Sequence, residues 1–165
     1  MSGLRLRSTK DADLDYVLEA ETSEENRPYI MFWSRQEHRQ ALSDPNIAHL
    51  IVEPRSVRPA PVGYLIMVGL CDPNHSIHLR RIVITDKGKG FGKGAIAQVK
   101  QIAFETHRAH RLWLDVKPFN ERARAIYRAA GFVEEGTLRE CFKAEEGYGS
   151  LVIMSMLRQE YEAAL

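Results

Sequence analysis

The stretch Arg81-Ile-Val-Ile-Thr-Asp-Lys-Gly-Lys-Gly-Phe-Gly-Lys-Gly94 constrains this chain more than any other. Ile82-Val83-Ile84 is a short β-branched run that reads as a strand. Glycines and lysines then alternate from Lys87 to Gly94. From Ala95, the residues Ile96, Val99, Ile102 and Ala103 recur at helical spacing. A strand, a glycine-rich turn and a helix in succession point free backbone N–H groups and a helix N-terminus at one place. Both favour an anion, so the junction predicts a phosphate site. Lys87, Lys89 and Lys93 add positive charge. Glycine suits such a loop because side chains would hold an anion off the backbone.

A chain of 165 residues with 44% hydrophobic content is long enough for one cored domain and short for two, so a single domain over 1–165 is expected. The net charge of +1 carries none of the basic excess expected of a nucleic-acid binder. Cys71 and Cys141 stand alone, with no Cys-x-x-Cys spacing, so neither a disulfide framework nor a zinc site is indicated. His107 and His110 lack a third ligand nearby, and no metal is expected. No apolar run is long enough to span a membrane, and a cytoplasmic protein without a membrane partner is expected.

Along the chain, Leu4–Arg7 alternates as a strand, and Asp11 or Asp13 can cap a helix carrying Leu14, Val17 and Leu18. Residues 24–33 are irregular and aromatic. Ser34 with Glu37 forms a capping box for a second helix ending near Asp44-Pro45. Strands follow at 48–52, 62–70 and 75–84, the last entering the glycine loop. After the loop's helix come a strand at Arg111–Val116, a helix at Glu121–Ala130 ended by Gly131, and two closing strands. Strands 82–84 and 111–116, joined by a helix, should be parallel neighbours, and the meander before them antiparallel. The fold class is α/β in the mixed α+β sense, a central mixed sheet with helices on both faces.

Two phosphate ligands compete. Gly90-x-Gly92-x-x-Ala95 fits a dinucleotide fingerprint, with Asp115 on the following strand to meet a ribose hydroxyl, which would imply a nicotinamide-dependent oxidoreductase. Against it, the fingerprint sits mid-chain after a meander, and too little chain follows for a second mononucleotide half. The flanking lysines also suit a more heavily phosphorylated ligand. The Walker pattern fails, since no Gly-Lys pair precedes Ser or Thr at the right spacing.

A second constellation, Asn120-Glu-Arg-Ala-Arg-Ala-Ile-Tyr127-Arg-Ala-Ala-Gly131-Phe132, decides between them. Together with the glycine loop it resembles the GNAT superfamily of N-acetyltransferases, in the branch of ribosomal-protein N-terminal and diamine acetyltransferases. The family's Arg/Gln-x-x-Gly-x-Gly/Ala falls on Lys87 to Gly92, and its Asn-x-x-Ala-x-x-x-Tyr followed by Gly-Phe falls on Asn120, Ala123, Tyr127, Gly131 and Phe132. The resemblance implies acetyl-CoA as acetyl donor and a primary amine, on a protein N-terminus or a small molecule, as acceptor. It places the cofactor along Ile82, Val83 and Ile84 and on Lys87, Gly88, Lys89, Gly90, Phe91, Gly92, Lys93, Asn120 and Tyr127. A homodimer is also compatible with it. A non-catalytic acyl-CoA-binding sensor stays open as an alternative. Lys87 departs from the pattern, because lysine offers a point charge where the usual arginine offers a planar fork.

The resemblance puts Tyr127 beside the departing sulfur as general acid, and Ala123, Ile126, Tyr127 and Ala130 share one helix face. The alternative is a core tyrosine with a backbone partner. Asn120 is an N-cap, a cofactor contact, or both. Strict alternation on the strand before the loop puts His78, Arg80, Ile82 and Ile84 on one face and Leu79, Arg81 and Val83 on the other. Family members often carry a glutamate base near His78, and imidazole titrates near neutrality, so His78 is the candidate base; the alternative is a surface histidine. The acceptor should meet Tyr29, Phe32, Trp33 and Arg80, with the loop after Arg139, although the aromatics equally suit a core. Neither cysteine lies in a matched motif, so direct attack without an acyl-enzyme is expected.

Overall fold

The computed structural model describes residues 3–165, leaving the first two residues of the expected 1–165 domain outside it. Seven strands form one sheet in the order β1-β2-β3-β4-β5-β7-β6. They are β1 (Leu4–Ser8), β2 (Ile47–Pro54), β3 (Gly63–Val68), β4 (Ser76–Ile84), β5 (Arg111–Val116), β6 (Val133–Lys143) and β7 (Tyr148–Leu157). Neighbours pair antiparallel except β4 and β5, which run parallel as expected.

The helices divide between the two faces. On one face α3 (Phe91–Gln101), α4 (Glu121–Ala129) and the short α5 (Arg158–Ala163) cover the larger apolar core, where Ile96, Val99, Phe104 and Tyr161 meet Leu65, Leu79, Leu112 and Met154. On the other, α1 (Leu14–Thr22) and α2 (Arg35–Leu42) cover a smaller one built on Val17, Ile51, Tyr64, Ile66 and Val83. Ser34 and Glu37 close the capping box on α2, each side chain taking the other residue's N–H. Asp13 does not cap α1 through its side chain; it accepts from Arg7 and from the Lys10 N–H instead. Helix α5 was not legible as a helix, because six residues at the end of a strand carry too little periodicity.

Two irregularities make the site. Ile66 pairs with Arg81 but Met67 pairs with Leu79, so Arg80 is an extra residue, a β-bulge in β4. The bulge overturns the strict alternation expected along this strand. Leu79 and Ile82 now both face the larger core, while Arg81 and Val83 turn toward α1. The parallel pairing of β4 with β5 is also short, covering only Ser76↔Arg111, Ile77↔Leu112 and His78↔Trp113. Beyond His78 the two strands part, and the β5-side main chain of residues 79–84 has no strand partner.

Candidate active site

A cleft of about 980 Å³ opens where β4 and β5 separate. One end is the glycine loop. Gly88 and Gly90 take φ of 82° and 78°, a left-handed conformation that side chains strain to adopt. This lets the chain turn from β4 directly into α3, whose first main-chain bond runs from Gly94 N–H to Gly90 C=O at 3.1 Å. The N–H groups of residues 91–93 are left without a helical acceptor, at the positive end of the helix. Gly92 is glycine for another reason. A Cβ there would meet only Ile84, at 3.8 Å, so the fold has room for one. Its bare Cα lines the cleft.

Most of the predicted cofactor residues line this cleft: Ile82, Val83 and Ile84 on one wall, Lys87, Gly88, Gly90, Phe91, Gly92 and Lys93 at the loop, and Asn120 and Tyr127 opposite. Lys89 does not; it is exposed and pairs with Asp86 at 2.8 Å. Lys87 lies 3.2 Å from Glu25, which ties the loop to the segment between α1 and α2. Asn120 caps α4, accepting from Ala123 N–H at 3.2 Å, and lines the cleft as well.

The other end lies at the apex of the splay. Tyr127 is buried against Phe132, and its hydroxyl finds no partner among the described residues. Burial, and after it the charge of Asp115, push this phenol above its usual range. His78 stacks on Trp113, with ring centroids 3.8 Å apart and planes at 3°, and its Nε2 lies 3.0 Å from Asp115 Oδ2. Asp115 is therefore a partner of His78. Only one pair of strands in the sheet is parallel, and the nicotinamide alternative receives no support.

Of the expected acceptor residues, Tyr29 and Arg80 line the cleft, but Phe32 and Trp33 stand outside it. Trp33 packs against the smaller core, with the Arg80 and Arg81 guanidiniums 5.4 and 5.1 Å from its ring centre. The hairpin after Arg139 contributes Cys141 and Phe142 to the cleft wall. Phe142 sits flat on Gly149 of the paired strand, where any side chain would collide with its ring. Lys117 bridges the two walls, donating to Pro28 C=O at 2.8 Å and lying 5.5 Å above the Phe142 ring. Burial lowers the Lys117 ammonium below its usual range.

Beneath the apex lies a polar network that the sequence did not announce. Glu21, 1% exposed, accepts from Tyr64 hydroxyl at 2.6 Å and from Arg81, which also donates to Met31 C=O. His38 Nε2 lies 2.9 Å from the same carboxylate, though off hydrogen-bond geometry. His38 Nδ1 meets His49 Nε2 at 3.0 Å, and His49 Nδ1 meets Thr9 Oγ1 at 2.8 Å. The network thus holds the Met31 segment over the cleft.

Among the described residues no group of three or more His, Cys, Asp or Glu is placed to hold a metal, and no helix is long and apolar enough to cross a membrane. The family profile described as "Acetyltransferase (GNAT) domain" matches residues 3–133. The spermidine N(1)-acetyltransferase of Vibrio cholerae is 25% identical over 169 residues, spanning 97% of this chain and 96% of that protein. The crystal structure of spermidine N-acetyltransferase from Vibrio cholerae in complex with CoA and spermine superposes with a TM-score of 0.86 at 24% identity, covering 98% of this chain and 99% of that one. A dodecameric structure of that enzyme gives a TM-score of 0.81 at 24% identity, covering 98% and 97%.

Proposed function

This chain belongs to the GNAT acetyltransferases, and on that premise we propose how its cleft moves an acetyl group from acetyl-CoA to a primary amine. The observation that carries the reading is the splay of β4 from β5, with the glycine loop at one end and Tyr127, His78 and Asp115 at the other. The bare N–H groups at the start of α3, with Lys87 and Lys93, would hold the CoA pyrophosphate. The β5-side main chain of Ile82, Val83 and Ile84, which has no strand partner, would bond the extended arm of the cofactor much as a missing strand would, with Phe91 and Asn120 bordering it. The thioester then lies at the apex.

There His78 Nε2 donates to Asp115, which fixes the tautomer and leaves Nδ1 as the proton acceptor. The ammonium loses one proton to His78, the neutral amine attacks the thioester carbonyl directly, and the adduct nitrogen sheds its second proton to solvent as the amide forms. As the carbon–sulfur bond breaks, Tyr127 gives its proton to the departing thiolate; burial keeps that phenol protonated until then. Cys141 stands on the cleft wall, but no base hydrogen-bonds it among the described residues, so an acyl-enzyme is not invoked. The acceptor, a protein N-terminus or a small-molecule amine, enters between Tyr29 and Phe142. We further propose that the chain works in the cytoplasm and associates with copies of itself, in keeping with the dodecamer formed by the Vibrio enzyme and with the long, exposed edge strand β6.

Thermal shift with acetyl-CoA, CoA, NAD and NADP tests the site. Acetyl-CoA at a hundred times its Kd should stabilise the protein by about 2.7 kcal/mol, worth roughly 5–10 °C, with the dinucleotides inert. Amine-dependent release of CoA thiol tests the reaction. A shift with NAD and none with acetyl-CoA would overturn the proposed cofactor.

A further inference from the structure

The charges lining the cleft are unevenly matched. Its carboxylates are each engaged by a side chain: Glu25 by Lys87 at 3.2 Å, Asp86 by Lys89 at 2.8 Å, and Asp115 by the His78 Nε2–H at 3.0 Å. Its cations are not all so matched. Arg80, Lys93 and Arg122 meet no carboxylate within ion-pair distance among the described residues. Lys93 belongs to the glycine loop, beside the expected phosphates, and Arg122 to the first turn of α4.

Arg80 is different. It is the extra residue of the β4 bulge, at the point where β4 leaves β5, and so it stands at the acceptor end. Its neighbour Arg81 is neutralised from below by Glu21, whereas the Arg80 guanidinium lies exposed across the face of Trp33. A guanidinium steadied by an aromatic ring still presents its planar fork of donors, and that fork matches an oxyanion.

An acceptor bearing several ammonium groups would meet Arg80 and Lys117 here without a free carboxylate to answer it. Such repulsion discriminates as effectively as attraction does. Resting on the acetyltransferase reading above, we propose that the acceptor amine is carried by a molecule with a carboxylate or similar oxyanion close to the amine. Arg80 engages that group, and polyamines are poor acceptors. The chain would thus share the fold of the spermidine enzyme without its substrate. The oxyanion has two possible sources, the α-carboxylate of a free amino acid or an acidic side chain near a peptide N-terminus.

Matched acceptors separate them: alanine against alaninamide, the peptide amide Ala-Asp-Ala against Ala-Asn-Ala, and spermidine. With acetyl-CoA as donor, at least one acidic acceptor should exceed its neutral twin in kcat/KM by about tenfold, the worth of one charge-assisted hydrogen bond, and spermidine should rank last. In Arg80→Ala the acidic-to-neutral ratio should fall to near one through KM, and Arg80→Glu should bring spermidine above the acidic acceptors. Spermidine leading in the wild type, or an acidic-to-neutral ratio unmoved by Arg80→Ala, overturns the proposal. If acetyl-CoA binds but no acceptor releases thiol, the transfer reading fails. Arg80 is then judged by binding alone: an acidic acceptor must still raise the wild-type Tm more than that of Arg80→Ala, and equal shifts overturn the proposal.

Discussion

The two ends of the cleft are built on opposite plans. The proposed phosphate end is a single run of residues, 87–93, that would work mainly through main-chain N–H groups and bare glycines, with Lys87 and Lys93 adding charge. The proposed acceptor end would work through side chains, brought together from the bulge in β4, the segment before α2, the end of β5 and the β6–β7 hairpin. A local main-chain cradle is indifferent to most substitutions and intolerant of a few. An assembled side-chain site is adjustable at each position, but it depends on long-range packing to hold its parts in register. Cofactor binding should therefore fail sharply at the glycines, and turnover and acceptor choice should fail by degrees elsewhere.

The sharpest break comes at Gly92. In Gly92→Glu the added carboxylate would stand at the helix N-terminus where the pyrophosphate must lie, displacing it and repelling it. Acetyl-CoA affinity should fall by more than about a hundredfold, the scale of losing several charge-assisted hydrogen bonds, while circular dichroism and Tm stay close to wild type. Gly92→Ala is the control. Its methyl reaches ordinary contact with Ile84 at 3.8 Å, so the variant should fold normally and lose affinity only in proportion to its bulk. A folded Gly92→Glu protein with undiminished affinity would place the cofactor elsewhere.

The next effect separates chemistry from binding. Tyr127→Phe removes one hydroxyl with no partner among the described residues, so packing should be little disturbed. Turnover should drop about a hundredfold with acetyl-CoA affinity nearly unchanged, because general acid help acts only in the transition state. Wild-type turnover in this variant, under chemistry-limited conditions, would reduce Tyr127 to a packing residue.

The contrast between the two ends also explains what could be seen from sequence. Residues 82–94 and 120–132 carry their meaning in local order, so the loop, the Asn120 cap and the placement of Tyr127 were legible. The bulge at Arg80 was not, because it exists only in the register of β4 against β3. His78 and Asp115 lie 37 positions apart, and the pairing of Glu21 with Arg81 spans 60. No periodicity encodes either. Trp33 was expected at the acceptor; its ring is instead a platform for two arginines, a role visible only once the bulge has turned them toward it. Aromatic composition marked Tyr29, Phe32 and Trp33 alike, for the acceptor or for a core; Tyr29 lines the cleft and Trp33 packs on the smaller core.

The smallest of these effects concerns what lies beneath each end. Behind the phosphate end the core is apolar, but behind the acceptor end sit Glu21, His38, His49 and Arg81. Burial first, then the charge of His38, lowers His49 from 6.5 to about 4. Its ring therefore stays neutral in the folded protein while the unfolded chain takes up a proton below 6.5. The stability tied to this residue is complete above that pH and drains away as pH falls toward 4. By pH 5 the loss should be about 2 kcal/mol, or roughly 4–8 °C in Tm. Glu21 acts in a lower window. Burial would raise its carboxyl, but the close approach of His38, the hydrogen bond from Tyr64 and the charge of Arg81 outweigh burial and hold it below its ordinary 4.5. Its contribution persists above the unfolded value and is lost only as pH falls through the folded one. Between pH 7.5 and 5 the slope should thus belong largely to His49. His49→Gln keeps a polar side chain toward Thr9 and His38 without a titrating ring, and its Tm profile should be flatter than wild type across that interval. Equal slopes in the two proteins would move the acid sensitivity away from the acceptor end, and the contrast in what supports the two ends would lose its thermodynamic meaning.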